Sequence, residues 1–272
     1  MSHLLPYSKL YSLADKDILR FKCILGVADI PAVLADLERS EETHSNVLAS
    51  LTSPDCPFFD LLKLVLEIGN TVNEGPAVHG FKLGALRQLR SMRAPRQPSL
   101  TLLRFITQSL HRNTPKTLAY ISELAEDLQE IGKKTLEQFD TELRDIDLRL
   151  REIRSLLVLA TKDIKLQFTA TIVDSGKRVT ALRNRRKGLD NKIQHFADFY
   201  CEPAADFSLS AYLGNLGEFC GDVVECGQMI HLTNLSSADN RANYSPESRF
   251  AIGLVHRSNC VPLCCKISFL SF

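Results

Sequence analysis

Apolar residues recur three and four positions apart along most of this chain, the spacing that gives a helix one oily face. Ile18, Phe21 and Leu25 make one such stripe. Ile30, Val33, Leu34 and Leu37 make another around Pro31, a residue suited to a helix's first turn. Helices are therefore predicted from about Ile18 to Leu51, followed by a turn at Ser53-Pro54-Asp55-Cys56-Pro57. Phe58, Leu61, Leu62, Val65 and Leu66 form the next helix, with Gly69 as its expected stop. Asn70, Asn73, Gly75 and Gly80 suit a loop, because asparagine satisfies stray backbone groups and glycine lets the chain turn back. Leu83, Leu86 and Leu89 then restart an amphipathic helix. The prolines of Ser91-Met92-Arg93-Ala94-Pro95-Arg96-Gln97-Pro98 predict a loop, and Ser99 an N-cap for the helix carrying Leu102, Leu103, Ile106 and Leu110.

Asn113-Thr114-Pro115 opens a much longer helical stretch, for no further proline appears until Pro203. Ile121, Leu124, Leu128 and Ile131 are followed by Phe139, Leu143, Ile146, Leu150, Ile153, Leu157, Ala160, Ile164 and Phe168. Alternating steps of three and four are the heptad rhythm of helices packed along a narrow seam. A change of register passes through Thr135. Val179, Leu182, Leu189, Ile193 and Phe196 repeat the rhythm, interrupted at Arg186, and Asp174-Ser175-Gly176 is the expected break between the two runs. The reading is an antiparallel helical hairpin. From His231 onward the rhythm stops, and the apolar run around Val261–Leu270 has no matching partner pattern, so most of this tail is expected to be disordered.

Composition narrows the class. At 272 residues, with 44% hydrophobic and 24% charged residues, the chain can bury a core as ordinary soluble proteins do. A net charge of +1 argues against a global preference for nucleic acid, and no apolar run is long enough to span a bilayer. The start, Met1-Ser2-His3-Leu4-Leu5-Pro6, lacks the features of a signal peptide, so a cytoplasmic location is expected. Cys23, Cys56, Cys201, Cys220, Cys226, Cys260, Cys264 and Cys265 lack the paired spacing of a zinc site, and His231 and His256 do not complete one. Reduced, buried thiols are the expectation, with no metal and no cofactor.

The string Gly69-Asn70-Thr71-Val72-Asn73-Glu74-Gly75, followed by Gly80-Phe81-Lys82-Leu83 and by Leu86 and Leu89, resembles the formin homology 2 domain of the formins. Thr71 and Val72 stand where that family usually has an aromatic residue and methionine, and the loop from Gly75 to Gly80 is shorter than in many relatives. Leu102-Leu103-Arg104-Phe105-Ile106 also resembles the family, whereas Ser91-Met92-Arg93 departs from its Asp-Thr-Lys. The resemblance runs from about Ile18 to Ile230 and is densest from Phe58 to Phe219. It implies an all-α, elongated helical domain with a projecting antiparallel coiled-coil hairpin. Residues 1–57 would be partial knob-like helices, 58–114 a post-like region, 115–200 the hairpin, 201–230 returning helices, and 231–272 a tail outside the family.

The same resemblance implies function. Formin homology 2 domains are not enzymes; they dimerise head to tail, a lasso from one protomer wrapping the post of the other with inserted tryptophans, and they nucleate and elongate actin filaments at the barbed end. Here Gly69, Asn70, Asn73, Gly75, Gly80, Phe81 and Leu83 would form the lasso-receiving post, and actin and another formin protomer would be the partners. This chain has no tryptophan, and nothing before Ile18 resembles a lasso, linker or the front of the knob, so nucleation is expected to be impaired. Actin is acidic, which favours Lys82, Arg87 and Arg90 as contacts; Arg93 and Arg96 continue the cluster. Lys177, Arg178, Arg183, Arg185, Arg186 and Lys187 read as a hydrated helix face, and the carboxylates Glu41-Glu42 and Glu126-Asp127 as solvent-facing ion-pair partners. His79 reads as a solvated turn residue, and no phosphate-binding loop, His-Glu-x-x-His or Gly-x-Ser-x-Gly is present. The alternatives are a helical scaffold without actin activity, or a non-functional truncated product; a nucleic-acid binder fits least well.

Overall fold

The computed structural model describes residues 7–72, 76–94, 97–202 and 207–237. Among them the chain is all-α: helices α1 (Tyr7–Val27), α2 (Ile30–Leu51), α3 (Phe58–Val72), α4 (Leu102–Asn113), α5 (Pro115–Gly132), α6 (Leu136–Val158), α7 (Lys162–Phe199) and α8 (Leu209–Ser237). A 3₁₀ helix spans Leu83–Arg90, and strands β1 (Arg93–Ala94) and β2 (Gln97–Thr101) form a small antiparallel pair. That pair replaces the loop expected at 91–98. Consequently α4 starts later than expected, and Thr101, not Ser99, is its N-cap, its hydroxyl accepting the Arg104 N–H at 3.2 Å. The tail expected from His231 begins inside α8, and residues 238–272, with Cys260, Cys264 and Cys265, lie outside the described residues.

The chain divides into two compact units, Met1–Ser45 with Lys134–Asn191, and Asn46–Lys133 with Lys192–Phe272. In the first unit, Phe139, Leu143, Ile146, Leu150, Ile153 and Leu157 of α6 share one core with Ile164, Phe168, Ile172, Val179 and Leu182 of α7. The arms are antiparallel: Asp147 pairs with Arg183 at 3.1 Å and Asp140 with Arg186 at 3.2 Å, later α6 residues meeting earlier α7 residues. The reversal, however, lies at Leu159-Ala160-Thr161, and α7 runs unbroken through Asp174-Ser175-Gly176. Ser175 is only 2% exposed and fills the seam position between Ile172 and Val179. A small polar residue in the right register continued the seam instead of ending it. At Thr135 the register change is a true break, and α6 begins with a capping box between Thr135 and Gln138.

Of the basic residues of α7 expected to form a hydrated face, Lys177 and Lys187 are exposed, but the arginines are engaged by carboxylates. Arg178 grips Glu38 with two bonds at 2.9 and 2.8 Å, Arg185 reaches Glu41 at 2.5 Å, and Arg186 joins Asp140 and Asp190. Glu41 is the ion-pair partner expected, but at 5% exposed it does not face solvent. These pairs tie the first part of α2 to α7, and a buried carboxylate there requires its arginine. His44, 3% exposed beside them, donates its Nδ1–H to the Ser40 carbonyl at 2.7 Å.

In the second unit α8 packs against α4, α5 and the 3₁₀ helix. Phe196, Tyr200, Phe207 and Tyr212 form an aromatic cluster, with Phe196 and Tyr212 edge to face at 5.4 Å. The Tyr200 hydroxyl donates to the Leu51 carbonyl at 2.9 Å, and that of Tyr120 lies 2.6 Å from Ser50 Oγ and 3.3 Å from Cys56 Sγ. Cys23, Cys56 and Cys220 are free and buried, and burial pushes the Cys220 thiol up to about 12. Cys201 is exposed and Cys226 half-buried.

Helix α7 ends in a Schellman turn: Cys201 N–H donates to the Asp198 carbonyl at 3.1 Å and Glu202 N–H to that of Ala197 at 2.9 Å. Cys201 takes a left-handed φ of 54° there, where glycine carries no Cβ penalty. Cys201→Gly is expected to stabilise the protein by about 0.5–1 kcal/mol in chemical denaturation; a loss of stability would show that the thiol packs usefully.

Burial, reinforced by the nearby Arg186 charge, holds the His44 imidazole below its ordinary value of 6.5, against the opposing pull of Ser40 and Glu41. The unfolded chain therefore binds the proton more readily, and stability present above that value is lost as pH falls below it. The melting temperature is expected to fall on acidification from neutrality, with a shallower slope in His44→Gln. Equal slopes in the two proteins would contradict this.

Candidate functional site

The site is built at the C-terminal end of α3. Gly69 does not end the helix as expected; α3 continues to Val72, and Gly69 has no left-handed φ. The closing element is Asn70. Its Nδ2–H donates to the Val78 carbonyl and its Oδ1 accepts the Val78 N–H, both at 2.9 Å. A carboxamide pairs here with a backbone residue as one peptide group pairs with another, which aspartate cannot do because it lacks the donor. Asn73 and Gly75 lie outside the described residues.

Beyond this clamp Gly80 and Phe81 are buried, Lys82 is exposed on extended backbone, and Leu83 is buried again. The expected amphipathic α-helix is instead a 3₁₀ helix, and the leucine spacing explains why. Leu83, Leu86 and Leu89 are three apart, and with three residues per turn they stack on a single line, buried to 9%, 2% and 5% exposure. The same geometry aligns Arg87 and Arg90 toward α8. Arg87 donates to Asn215 Oδ1 and Glu218 Oε2, each at 2.9 Å, and Arg90 to Asp222 Oδ1 at 2.5 Å. Among the described residues Lys82 makes no ion pair.

Lys82, Leu83, Gly84 and Leu86 line a cavity of about 240 Å³ with Glu202, Tyr212, Asn215 and Leu216. The Tyr212 hydroxyl is buried with no hydrogen-bond partner among the described residues, and burial raises its pKa. Glu202, Tyr212, Asn215, Glu218 and Asp222 were not foreseen, since nothing local marks residues that meet the 3₁₀ helix from more than a hundred positions away. His79 is exposed, as expected. Among the described residues no group of histidine, cysteine or carboxylates could hold a metal ion, and no helix is long and apolar enough to cross a membrane.

This arrangement, an asparagine-clamped turn leading into a leucine-striped 3₁₀ helix on an all-α body, falls within residues 20–223, which match the model of the Formin Homology 2 Domain. The chain belongs to that family. It is similar to inverted formin-2 of Xenopus tropicalis, 24% identical over 205 residues that make up 74% of this chain and 15% of the relative. It is also similar to Disheveled-associated activator of morphogenesis 2 of Gallus gallus, 28% identical over 99 residues, 36% of this chain and 9% of the relative. The chain thus spans a small part of the curated relatives it matches.

Asn70→Ala is expected to cost about 1 kcal/mol and to speed hydrogen exchange at the Val78 amide. Asn70→Asp keeps the acceptor and loses the donor, so its amide exchange should fall between the two. Unchanged exchange in both variants would show that the clamp does not hold the loop.

Proposed function

We propose that this chain is a formin-type actin-binding unit, working in the cytoplasm at the cytoskeleton, whose clamped turn also receives the lasso of another formin protomer. Family membership supports the general reading, and the relation of Lys82 to its neighbours carries the specific one. Arg87 and Arg90 are engaged by α8 carboxylates, whereas Lys82 stands exposed between two buried residues at the cavity mouth. An acidic surface such as that of actin is the natural complement of an exposed, unpaired cation. The cavity lined by Leu83, Leu86, Tyr212 and Leu216 suits an inserted side chain that is mostly apolar.

Lys82→Glu is expected to weaken co-sedimentation with filamentous actin about tenfold, with little change in melting temperature because Lys82 is exposed. Arg87→Ala should weaken it less, since that guanidinium is shared with Glu218. Co-sedimentation of Lys82→Glu at the wild-type level would remove Lys82 from the contact.

A further inference from the structure

On the solvent side of the α5–α8 pair lies a groove of about 740 Å³. Its floor is made of small residues, including Ala125 of α5 and Gly214, Gly217 and Gly221 of α8. At Gly217 a Cβ would meet Leu128 Cβ at 3.4 Å, an ordinary van der Waals contact. At Gly214 and Gly221 a Cβ would meet nothing within 4 Å, and no left-handed φ requires glycine. Each nevertheless costs an exposed helix about 1 kcal/mol relative to alanine. Their effect is to keep the groove open.

The rim is acidic. Glu126 and Glu225 are exposed on opposite walls and make no ion pair among the described residues, while Glu218 is shared with Arg87. Lys133 also lines the groove but is engaged by Glu130. Carboxylates crowd behind the rim: burial, then Glu126 and Glu123, push the Asp127 carboxyl up. Burial, with Glu225 and Glu218 working against Arg90, does the same to Asp222. A cation placed at this rim relieves repulsion that the chain leaves unrelieved.

We propose that this groove docks a lysine- or arginine-bearing amphipathic helix of a partner protein, its basic side chains on Glu126 and Glu225 and its apolar face against the glycine floor. Charge complementarity selects a basic occupant, and the glycine floor lets a helix backbone approach closely. This surface has the opposite sign to the Lys82 site, so the two recognise different partners, and the inference does not depend on actin binding.

The probe is a fluorescein-labelled peptide of repeating Leu-Ala-Lys-Ala-Ala-Lys, titrated with the full chain and followed by anisotropy, beside the same peptide with glutamate for every lysine. The basic peptide should bind saturably and more weakly as salt rises, and the acidic peptide should not bind. The double variant E126Q/E225Q should bind about tenfold more weakly while folding at least as well, because a repulsion is removed. Gly221→Leu fills the groove from its floor and should abolish binding while leaving actin co-sedimentation unchanged. Absence of binding, equal binding of the acidic peptide, or undiminished binding by E126Q/E225Q would overturn the proposal.

Discussion

The turn between α3 and the 3₁₀ helix depends on one carboxamide. Asn70, near the end of α3, pairs both of its polar atoms with the backbone of Val78 and so sets where the chain runs on toward the 3₁₀ helix. Once that point is set, Phe81 and Leu83 can be buried with Lys82 exposed between them. The three leucines then stack as a 3₁₀ line and deliver Arg87 and Arg90 to α8. Hydrogen bonds at the surface are individually modest, about 1 kcal/mol each. Their leverage comes from position, since the loop they close precedes every element of the site.

In the first unit the ordering principle is the seam between α6 and α7. Its register is kept through two polar residues, Ser175 and Arg186, by different means. Serine is small enough to be buried outright, whereas the guanidinium is held between Asp140 and Asp190. Arg178 and Arg185 reach outward from the same helix to Glu38 and Glu41 of α2, so the charges specify which helix packs beside the seam. Removing Arg185 would leave the buried Glu41 carboxylate as an uncompensated charge.

Helix existence was legible because the apolar periodicity is long and strong; turns were less so. Asp174-Ser175-Gly176 has turn-forming residues but sits in register, and register prevailed over local propensity. Leu159-Ala160-Thr161 carries no glycine or proline and still reverses the chain. The motif from Gly69 to Leu89 was legible as an ordered string, and the family match spans it. Its mechanism was legible in part: asparagine at 70 satisfies stray backbone groups as expected, here those of Val78, whereas leucines three apart looked like an ordinary amphipathic helix. The α7 arginines were misread because their carboxylate partners lie on α2 and α6, distant in sequence.

The two faces of α8 separate the molecule's charges. Toward the 3₁₀ helix its carboxylates engage arginines, and toward α5 they border an open groove. The central claim is that the Asn70 clamp positions Lys82 for an acidic partner. It is tested most directly by actin co-sedimentation of Asn70→Ala with helix content monitored by circular dichroism. The account predicts weakened co-sedimentation at wild-type helicity, although Asn70 is spent on the backbone of its own chain. Wild-type co-sedimentation in that variant would contradict it.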